Sequence, residues 1–237
     1  MTNLLLSSFL QTLGDWDASI FLAINGLHSP YWDNFMEMYS GRMIWLPLYL
    51  SILYVMFRNF SWRVCVICLL VVALLITVND QLSGSLLRAS VGRLRPANLD
   101  NPISPLVHIV DGYRGGRYGF PSAHAANSWG LTFFMLYVFH RHILSFTLMV
   151  WAFVTCWSRM YLGVHYFGDI LAGTVLGFVS ASIVYYVFQR GLHHVTETFK
   201  PYQADAPQMY VPVVVFWSEI ALMLIMALNF NVDPDSI

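Results

Sequence analysis

Hydrophobic residues in this chain are gathered into long runs that only short polar segments interrupt. An α-helix needs about 17 to 25 mostly apolar residues to cross a bilayer. On that scale the pattern predicts six membrane spans, near residues 43–57, 62–86, 122–139, 143–161, 168–189 and 210–230. The first run is the shortest, so its span either begins before Met43 or crosses with little tilt.

The residues that precede the first span have a different pattern. Residues 1–13 are rich in leucine, lack the positive start and small-residue cleavage site of a signal peptide, and are followed by Asp15 and Asp17. This arrangement predicts an amphipathic helix that lies in the membrane interface. We therefore divide the chain into interfacial helices over residues 1–42 and a six-span membrane domain over residues 43–237.

Composition supports an all-α, polytopic membrane helical bundle. The chain is 57% hydrophobic and 11% charged, whereas about a quarter of the residues in a soluble protein are charged. Aromatic residues make up 16% and include eight tryptophans, which is typical of the belts at membrane interfaces. The net charge of −1 argues against a nucleic-acid partner, because such proteins present a basic surface.

Three short polar segments interrupt the apolar runs. They are Arg88-Ala-Ser-Val-Gly-Arg-Leu-Arg95-Pro96, then Pro121-Ser122-Ala123-His124, then Ser158-Arg159 followed by His165 and Asp169. If the chain has six spans, all three segments lie on one side of the membrane, which we call the motif face. Guanidinium groups suit phosphate oxygens, and a histidine backed by an aspartate suits nucleophilic attack. The segments therefore indicate phosphate transfer at a membrane.

Spacing within the segments predicts how their side chains cooperate. Arg88 and Arg95 are seven residues apart, which places them on one face of a helix. A helix that starts at the second segment offers free N–H groups and the positive end of its dipole to an anion. Asp169, four residues after His165, is placed to accept the second imidazole N–H and fix the tautomer. His124 is a candidate to protonate the leaving oxygen and then to activate water.

These segments resemble the signature of the type 2 phosphatidic acid phosphatase family: a basic residue, six others and Arg-Pro; then Pro-Ser-Gly-His; then Ser-Arg, five others, His, three others and Asp. The resemblance covers roughly residues 75–180, with Arg88 in place of the usual lysine and Ala123 in place of the usual glycine. It implies that His165 is the nucleophile and forms a phosphohistidine, with His124 and Asp169 as the other catalytic groups. The residues expected at the substrate phosphate are Arg88, Arg95, Ser122, Ala123, Ser158 and Arg159.

The remaining polar residues are expected to have structural roles. The sequence has no paired carboxylates and no His/Asp/Glu cluster that predicts a metal site, so we expect catalysis without a metal or another cofactor. Arg93, Arg114 and Arg117 are expected to reach the lipid headgroups. For Asp80, in span two, a structural hydrogen bond between spans and a catalytic role both stay open. Small residues in spans two, three and five are expected to allow close helix contact.

The predicted function is hydrolysis of a phosphate monoester or diphosphate on a lipid headgroup. Among the substrates of the family, undecaprenyl diphosphate and lipid A phosphate are favoured, and phosphatidylglycerol phosphate and phosphatidic acid stay open. Transfer of the phosphoryl group to another lipid or sugar is an alternative, and a non-enzymatic phospholipid-binding or transport protein is a more distant one. The expected partners are the lipid phosphate and the membrane lipids, with no obligatory protein partner.

Positive charge predicts which way the motif face points. The loops on the opposite side concentrate basic residues, namely Arg58, Arg63, Arg141, Arg190 and Lys200. Cytoplasmic loops carry an excess of such residues. We therefore expect a multi-pass protein of the plasma (inner) membrane whose active site faces the periplasm or cell exterior.

Overall fold

The computed structural model describes residues 2–195 and 207–229, which form α-helices with no strand among them. Most connections are short, but a long loop over residues 92–122 joins α5 to α6. The helices are α1 (Thr2–Asn25), α2 (Pro30–Ser40), α3 (Leu46–Asn59), α4 (Trp62–Asp80), α5 (Arg88–Val91), α6 (Ala123–Phe139), α7 (His142–Tyr161), α8 (Phe167–Val195) and α9 (Val211–Asn229). A π-helical segment, Gln81–Leu87, joins α4 to α5. Lys200 and the acidic C-terminal residues lie outside the described ranges.

Four helical stretches of the described chain are long and apolar enough to cross a membrane. They are Trp62–Val91, His142–Tyr161, Phe167–Gly191 and Pro207–Leu228, and a fifth arises if α2 and the stretch Met43–Asn59, bent by 67° at their junction, form one span. Helix α6 has 17 residues and is therefore about 25 Å long, short of a hydrocarbon core of about 30 Å. The protein is thus an all-α, multi-pass membrane bundle, whereas the count of six spans is not confirmed.

Helix α6 lies at the centre of the bundle, in contact with α4, α7 and α8. Its approach to α8 depends on glycine. A Cβ at Gly177 would lie 2.5 Å from the carbonyl oxygen of Ala126, and one at Gly173 would overlap the carbonyl oxygen of Ser122. Gly84, by contrast, has open space beside it. Close contact through small residues therefore occurs between α6 and α8 but not at Gly84.

Buried polar groups connect α4 to both of these helices. Asn79, which is fully buried, donates from Nδ2 to the carbonyl oxygen of Ala126 at 3.0 Å. Its Oδ1 accepts from the Ser180 hydroxyl at 2.7 Å. Because such groups lack water as an alternative partner, these bonds fix the register of α4 against α6 and α8. The residues just after Asn79, which lead to Arg88, are thereby held in place.

The N-terminal helices pack against the bundle. Phe21 of α1 is fully buried and meets the Tyr166 ring edge-on at 5.4 Å. Helix α2 begins with Ser29 as its N-cap and Pro30 in the first turn. From α2, Tyr39 donates its hydroxyl hydrogen to the carbonyl oxygen of Trp151 at 3.0 Å. The division at residue 42 stays a prediction.

Candidate active site

The first two polar segments are brought together by a short extended pairing. Helix α5 ends at Gly92, whose φ of +61° turns the chain back. After this turn Arg95 N donates to the carbonyl oxygen of Arg117 at 3.1 Å, and Gly119 N donates to that of Arg93 at 2.9 Å. The chain then reaches the start of α6 at Ala123. Residues distant in sequence thus converge beside the loop between α7 and α8.

His165 lies in that loop and is 1% exposed. Its Nδ1 is 3.3 Å from Asp169 Oδ2, and its Nε2 is 3.1 Å from Arg95 Nη1. A guanidinium group can only donate, so Nε2 must accept and the hydrogen must reside on Nδ1, which donates it to Asp169. The imidazole is therefore held in the tautomer that carries its lone pair on Nε2, where it accepts from Arg95 in this structure. The contact between His165 and Asp169 is the one that their spacing predicts.

The surroundings of His165 keep the ring neutral. Burial lowers its pKa well below the usual value, and the positive charges of Arg95, Arg159 and Arg88 lower it further. Burial, together with Arg88 and Arg159, also lowers the pKa of Arg95, to about 10. At neutral pH the imidazole is consequently unprotonated while Arg95 remains cationic, which is the combination that attack on a phosphate anion requires.

The three motif arginines are drawn together despite their like charges. Arg95 is fixed by donating from Nε to the Tyr118 carbonyl oxygen at 3.1 Å and from Nη1 to that of Val164 at 3.0 Å. Arg159 is 4% exposed and donates to the Ser40 hydroxyl. The Nε atoms of Arg88 and Arg159 are buried without a hydrogen-bond partner among the described residues. This concentration of positive charge and unused donors suits a phosphate anion.

The motif serines are bonded within their own helices. The Ser122 hydroxyl accepts from Ala125 N at 3.4 Å and so caps α6. The Ser158 hydroxyl donates to the Thr155 carbonyl oxygen at 2.8 Å. Among the described non-glycine residues, positive φ occurs at Asp111 and His140. Ala123, the first residue of α6, therefore replaces the usual glycine without strain.

Arg93 has a role that the sequence did not predict. Rather than reaching for lipid headgroups, it bridges two carboxylates, with Nη1 3.0 Å from Asp169 Oδ1 and Nη2 2.7 Å from Asp17 Oδ2. Asp17 also accepts from Gly168 N at 2.8 Å. The aspartate behind His165 is thereby tied to α1. The available signal was Asp17 itself, an acid within a leucine-rich helix, but nothing in the sequence pairs it with Arg93.

Gly119 is a second residue of the site outside the predicted set. A Cβ at this position would lie 2.9 Å from Asp169 Oδ2 and 3.4 Å from His165 Nδ1. The backbone of residue 119 therefore passes directly over the His165–Asp169 contact, and only glycine leaves room for it.

His124, the second residue of α6, borders two cavities. The smaller, of about 270 Å³, is also lined by Arg42, Tyr113 and Arg159. The larger, of about 440 Å³, is mostly apolar and follows α4 from Asp80 to Cys68, a distance of about 18 Å at 1.5 Å per residue. We call the larger cavity the lateral groove. His124 therefore stands between a cationic pocket and an apolar groove.

Within the described residues, no group of three or more histidine, cysteine, aspartate and glutamate side chains is arranged to hold a metal ion. The positive charge at the site is supplied by the arginines described above.

Known proteins resemble this chain in both sequence and fold. The model of the PAP2 superfamily matches residues 60–192. A lipid A 4'-phosphatase of Bacteroides thetaiotaomicron is 47% identical over 178 residues, which cover 75% of this chain and 79% of the relative. A lipid A 4'-phosphatase of Porphyromonas gingivalis is 30% identical over 172 residues, covering 73% of this chain and 72% of that protein.

Two crystal structures share the fold at lower sequence identity. Aquifex aeolicus LpxE has a TM-score of 0.54 and 21% identity, and the match covers 71% of this chain and 94% of that one. The PAP2-type phosphatidylglycerolphosphate phosphatase of Bacillus subtilis has a TM-score of 0.57 and 23% identity, with coverage of 80% and 90%.

Proposed function

This chain belongs to the PAP2 superfamily and is a membrane lipid phosphatase. From that premise we propose that it hydrolyses a phosphate monoester of an acylated glycolipid of the lipid A type. The observation that carries the proposal is the neutral His165–Asp169 pair, held against Arg95, together with His124 at the head of an apolar groove. The similarity to lipid A 4'-phosphatases supports lipid A phosphate as the substrate we propose over undecaprenyl diphosphate, phosphatidylglycerol phosphate and phosphatidic acid.

In the first step, His165 Nε2 attacks phosphorus. The imidazole gains positive charge as the N–P bond forms, and Asp169 stabilises that charge through Nδ1. Arg95 already touches Nε2, so it also reaches an oxygen of the incoming phosphoryl group, while Arg88 and Arg159 offer further donors. The bound phosphate anion offsets the positive charge of Arg159 and Arg42, which line a cavity with His124, and so allows the imidazole of His124 to take up a proton. The bond to the lipid oxygen then breaks, and His124 gives that oxygen the proton.

In the second step, water cleaves the phosphohistidine. His124, now unprotonated, accepts a proton from a water molecule that enters after the dephosphorylated lipid leaves. The water oxygen bonds to phosphorus and the N–P bond breaks, which releases inorganic phosphate and restores neutral His165. The three arginines balance the negative charge on the phosphoryl oxygens throughout. We therefore propose that neither step uses a metal ion.

The lateral groove supports a lipid substrate. Its length of about 18 Å along α4 compares with a leaflet depth of about 15 Å, half of the hydrocarbon core. A lipid in the leaflet on the motif face can therefore place its headgroup at His124 and its acyl chains along α4. Basic residues at Arg58, Arg63 and Arg141 favour an inner-membrane orientation with this leaflet outward.

The test is phosphate release by the purified protein from lipid A, phosphatidic acid, phosphatidylglycerol phosphate and undecaprenyl diphosphate, with and without EDTA. We expect lipid A to have the highest kcat/KM, with no loss of activity in EDTA.

A radiolabelled substrate should leave an acid-labile phosphoenzyme in the wild type and none in His165→Ala. Preference for another substrate, loss of activity in EDTA restored by a divalent metal, or labelling of His165→Ala would contradict the proposal. Transfer of label to a second lipid instead of water would identify a phosphotransferase.

A further inference from the structure

The head of the lateral groove holds two polar residues that the proposed reaction does not use. Asp80 ends α4 and Asn127 lies one turn after His124 on α6, and both line the groove together with His124. Asn127 Nδ2 donates to Asp80 Oδ1 at 2.8 Å. A carboxylate within a hydrophobic span is costly, and such residues commonly face a cavity in which they bind something.

What this pair offers a ligand is hydrogen-bond acceptors. Asn127 donates one amide hydrogen to Asp80 Oδ1, while its own Oδ1 is buried without a hydrogen-bond partner among the described residues. The Asp80 carboxylate has further lone pairs beyond the one that Asn127 occupies. Asp80 is exposed to the groove. A group that binds here must therefore bring donors, such as a hydroxyl or an amide N–H.

The position of the pair indicates which part of the substrate it meets. In the proposed reaction His124 protonates the leaving oxygen, so the group that carries this oxygen lies on the His124 side of the phosphate. Asn127 follows His124 by three residues on α6, which places the two side chains on neighbouring positions of one helix face. The acceptor pair thus lies beside the first atoms of the leaving group, above the part of the groove that is apolar.

We propose that Asp80 and Asn127 form a subsite for the sugar ring that carries the scissile phosphate, and that they accept hydrogen bonds from its hydroxyl and amide N–H groups. This inference rests on the proposed function. An acylated amino sugar supplies both kinds of donor near its phosphate ester oxygen. Phosphatidylglycerol supplies a hydroxyl alone, and diacylglycerol and polyprenyl leaving groups supply neither beyond the ester oxygen itself. Sites built to bond a hydroxyl discriminate strongly against analogues that lack it, because their polar groups then stay unpaired. The pair therefore selects glycolipid phosphates most strongly over phosphatidic acid and polyprenyl diphosphates.

The test measures binding of the dephosphorylated lipids, so that it does not depend on turnover. Wild type, Asp80→Asn and Asp80→Glu are compared for the dissociation constants of dephosphorylated lipid A and of diacylglycerol in detergent. Asp80→Asn keeps an acceptor for Asn127 and thus the bond between α4 and α6. Thr77→Val is the matched control, because Thr77 lies one turn earlier on α4 and its hydroxyl bonds only to the Ala73 carbonyl oxygen among the described residues.

We expect Asp80→Asn to weaken binding of the glycolipid by about 10-fold or more, since a hydrogen bond to a charged group is lost, and to change diacylglycerol binding by less than about threefold. Thr77→Val should leave both constants unchanged. Asp80→Glu, which retains the charge, should lie between Asp80→Asn and wild type, and thermal melting shows whether each variant is folded. Equal effects on both lipids, or none, would overturn the subsite.

Phosphatidylethanolamine completes the comparison, because an ammonium group is the other donor that a carboxylate binds well. A larger loss for this lipid than for the glycolipid would reassign the pair to an amine and overturn the proposal. If wild type binds the dephosphorylated glycolipid through Asp80 but releases no phosphate from lipid A, the subsite stands and the proposed hydrolysis fails. The two inferences are therefore separable.

Discussion

Single residues at this site work through contacts that leave little freedom. Asp169 Oδ2 faces His165 Nδ1 and also accepts from Tyr166 N at 3.1 Å, while Oδ1 faces Arg93. Both carboxylate oxygens are thus committed, which holds the aspartate in the plane that the imidazole needs. The orientation of His165 consequently depends on Arg93 and, through it, on Asp17 of α1.

Arg93→Gln should lower kcat by roughly 10- to 100-fold with little change in KM. Loss of a residue that orients a functional histidine through its hydrogen-bond partner commonly has an effect of this size. Arg93→Lys should recover part of the loss, because an ammonium can meet one carboxylate but not span both as the guanidinium fork does. In a double-mutant cycle, Asp17→Asn and Arg93→Gln should be less than additive in their effect on kcat. Additive effects, or losses that follow the melting temperature alone, would show that the bridge serves only folding.

Gly119→Ala should lower kcat/KM by about 100-fold or more, because its methyl group would press on Asp169 and His165 and displace the nucleophile that we propose. Gly116→Ala is the matched control, since a Cβ there meets open space. Phosphate release from the preferred substrate measures both variants. Full activity in Gly119→Ala would show that the backbone around residue 119 can move away without disturbing the His165–Asp169 contact.

Helices α6 and α8 pack closely against each other directly below the site. The N-terminus of α6 carries His124 and that of α8 carries Asp169, and Ser122 N donates to the Asp169 carbonyl oxygen at 3.0 Å. The contact through Gly173 and Gly177 lies directly below these residues. Close packing of small residues stabilises helix pairs in membranes, where no hydrophobic effect drives them together.

Gly177→Leu should therefore lower the free energy of unfolding by about 1–3 kcal/mol, the usual cost of overpacking. It should also reduce activity, because the N-termini of α6 and α8 would move apart. Gly84→Leu, with open space at its Cβ, is the control. Thermal melting in detergent and phosphate release are the two measurements. Equal melting temperatures for the two variants would contradict this account of the α6–α8 contact.

Sequence pattern identified most of the helices and the convergence of the three polar segments, because apolar run length and motif spacing are local properties. His165 and Asp169 meet although His165 lies in the loop two residues before α8, because Asp169 is in the first turn of that helix. Arg88 and Arg95, predicted on one helix face, are instead separated by the turn at Gly92, which ends α5 before Arg95. Arg93 and Gly119 were missed because their roles arise from contacts across long stretches of chain, with Asp17 in α1 and with the His165–Asp169 pair. The shortness of α6, and the bend between α2 and α3, likewise left the number of spans undecided.

For the whole molecule, sidedness determines which lipids the site meets. In a variant lacking the three native cysteines, Leu99→Cys, whose side chain is 77% exposed on the motif face, should react with a membrane-impermeant maleimide in intact cells. Ser61→Cys, exposed in the loop before α4, should react only after permeabilisation, because the loops with Arg58 and Arg63 are expected inside. The reverse labelling pattern would show that the motif face points to the cytoplasm, and the substrate would then have to lie in the cytoplasmic leaflet.

The lateral groove has a consequence for kinetics. A substrate that enters from the membrane between α3 and α4 never passes through bulk water. The enzyme therefore meets its substrate by lateral diffusion in the plane of the bilayer. Its rate then follows the mole fraction of substrate in the surrounding lipid rather than the amount per volume of buffer. Adding inert lipid or detergent at a fixed substrate concentration should slow turnover, and apparent KM values are comparable only at equal surface dilution.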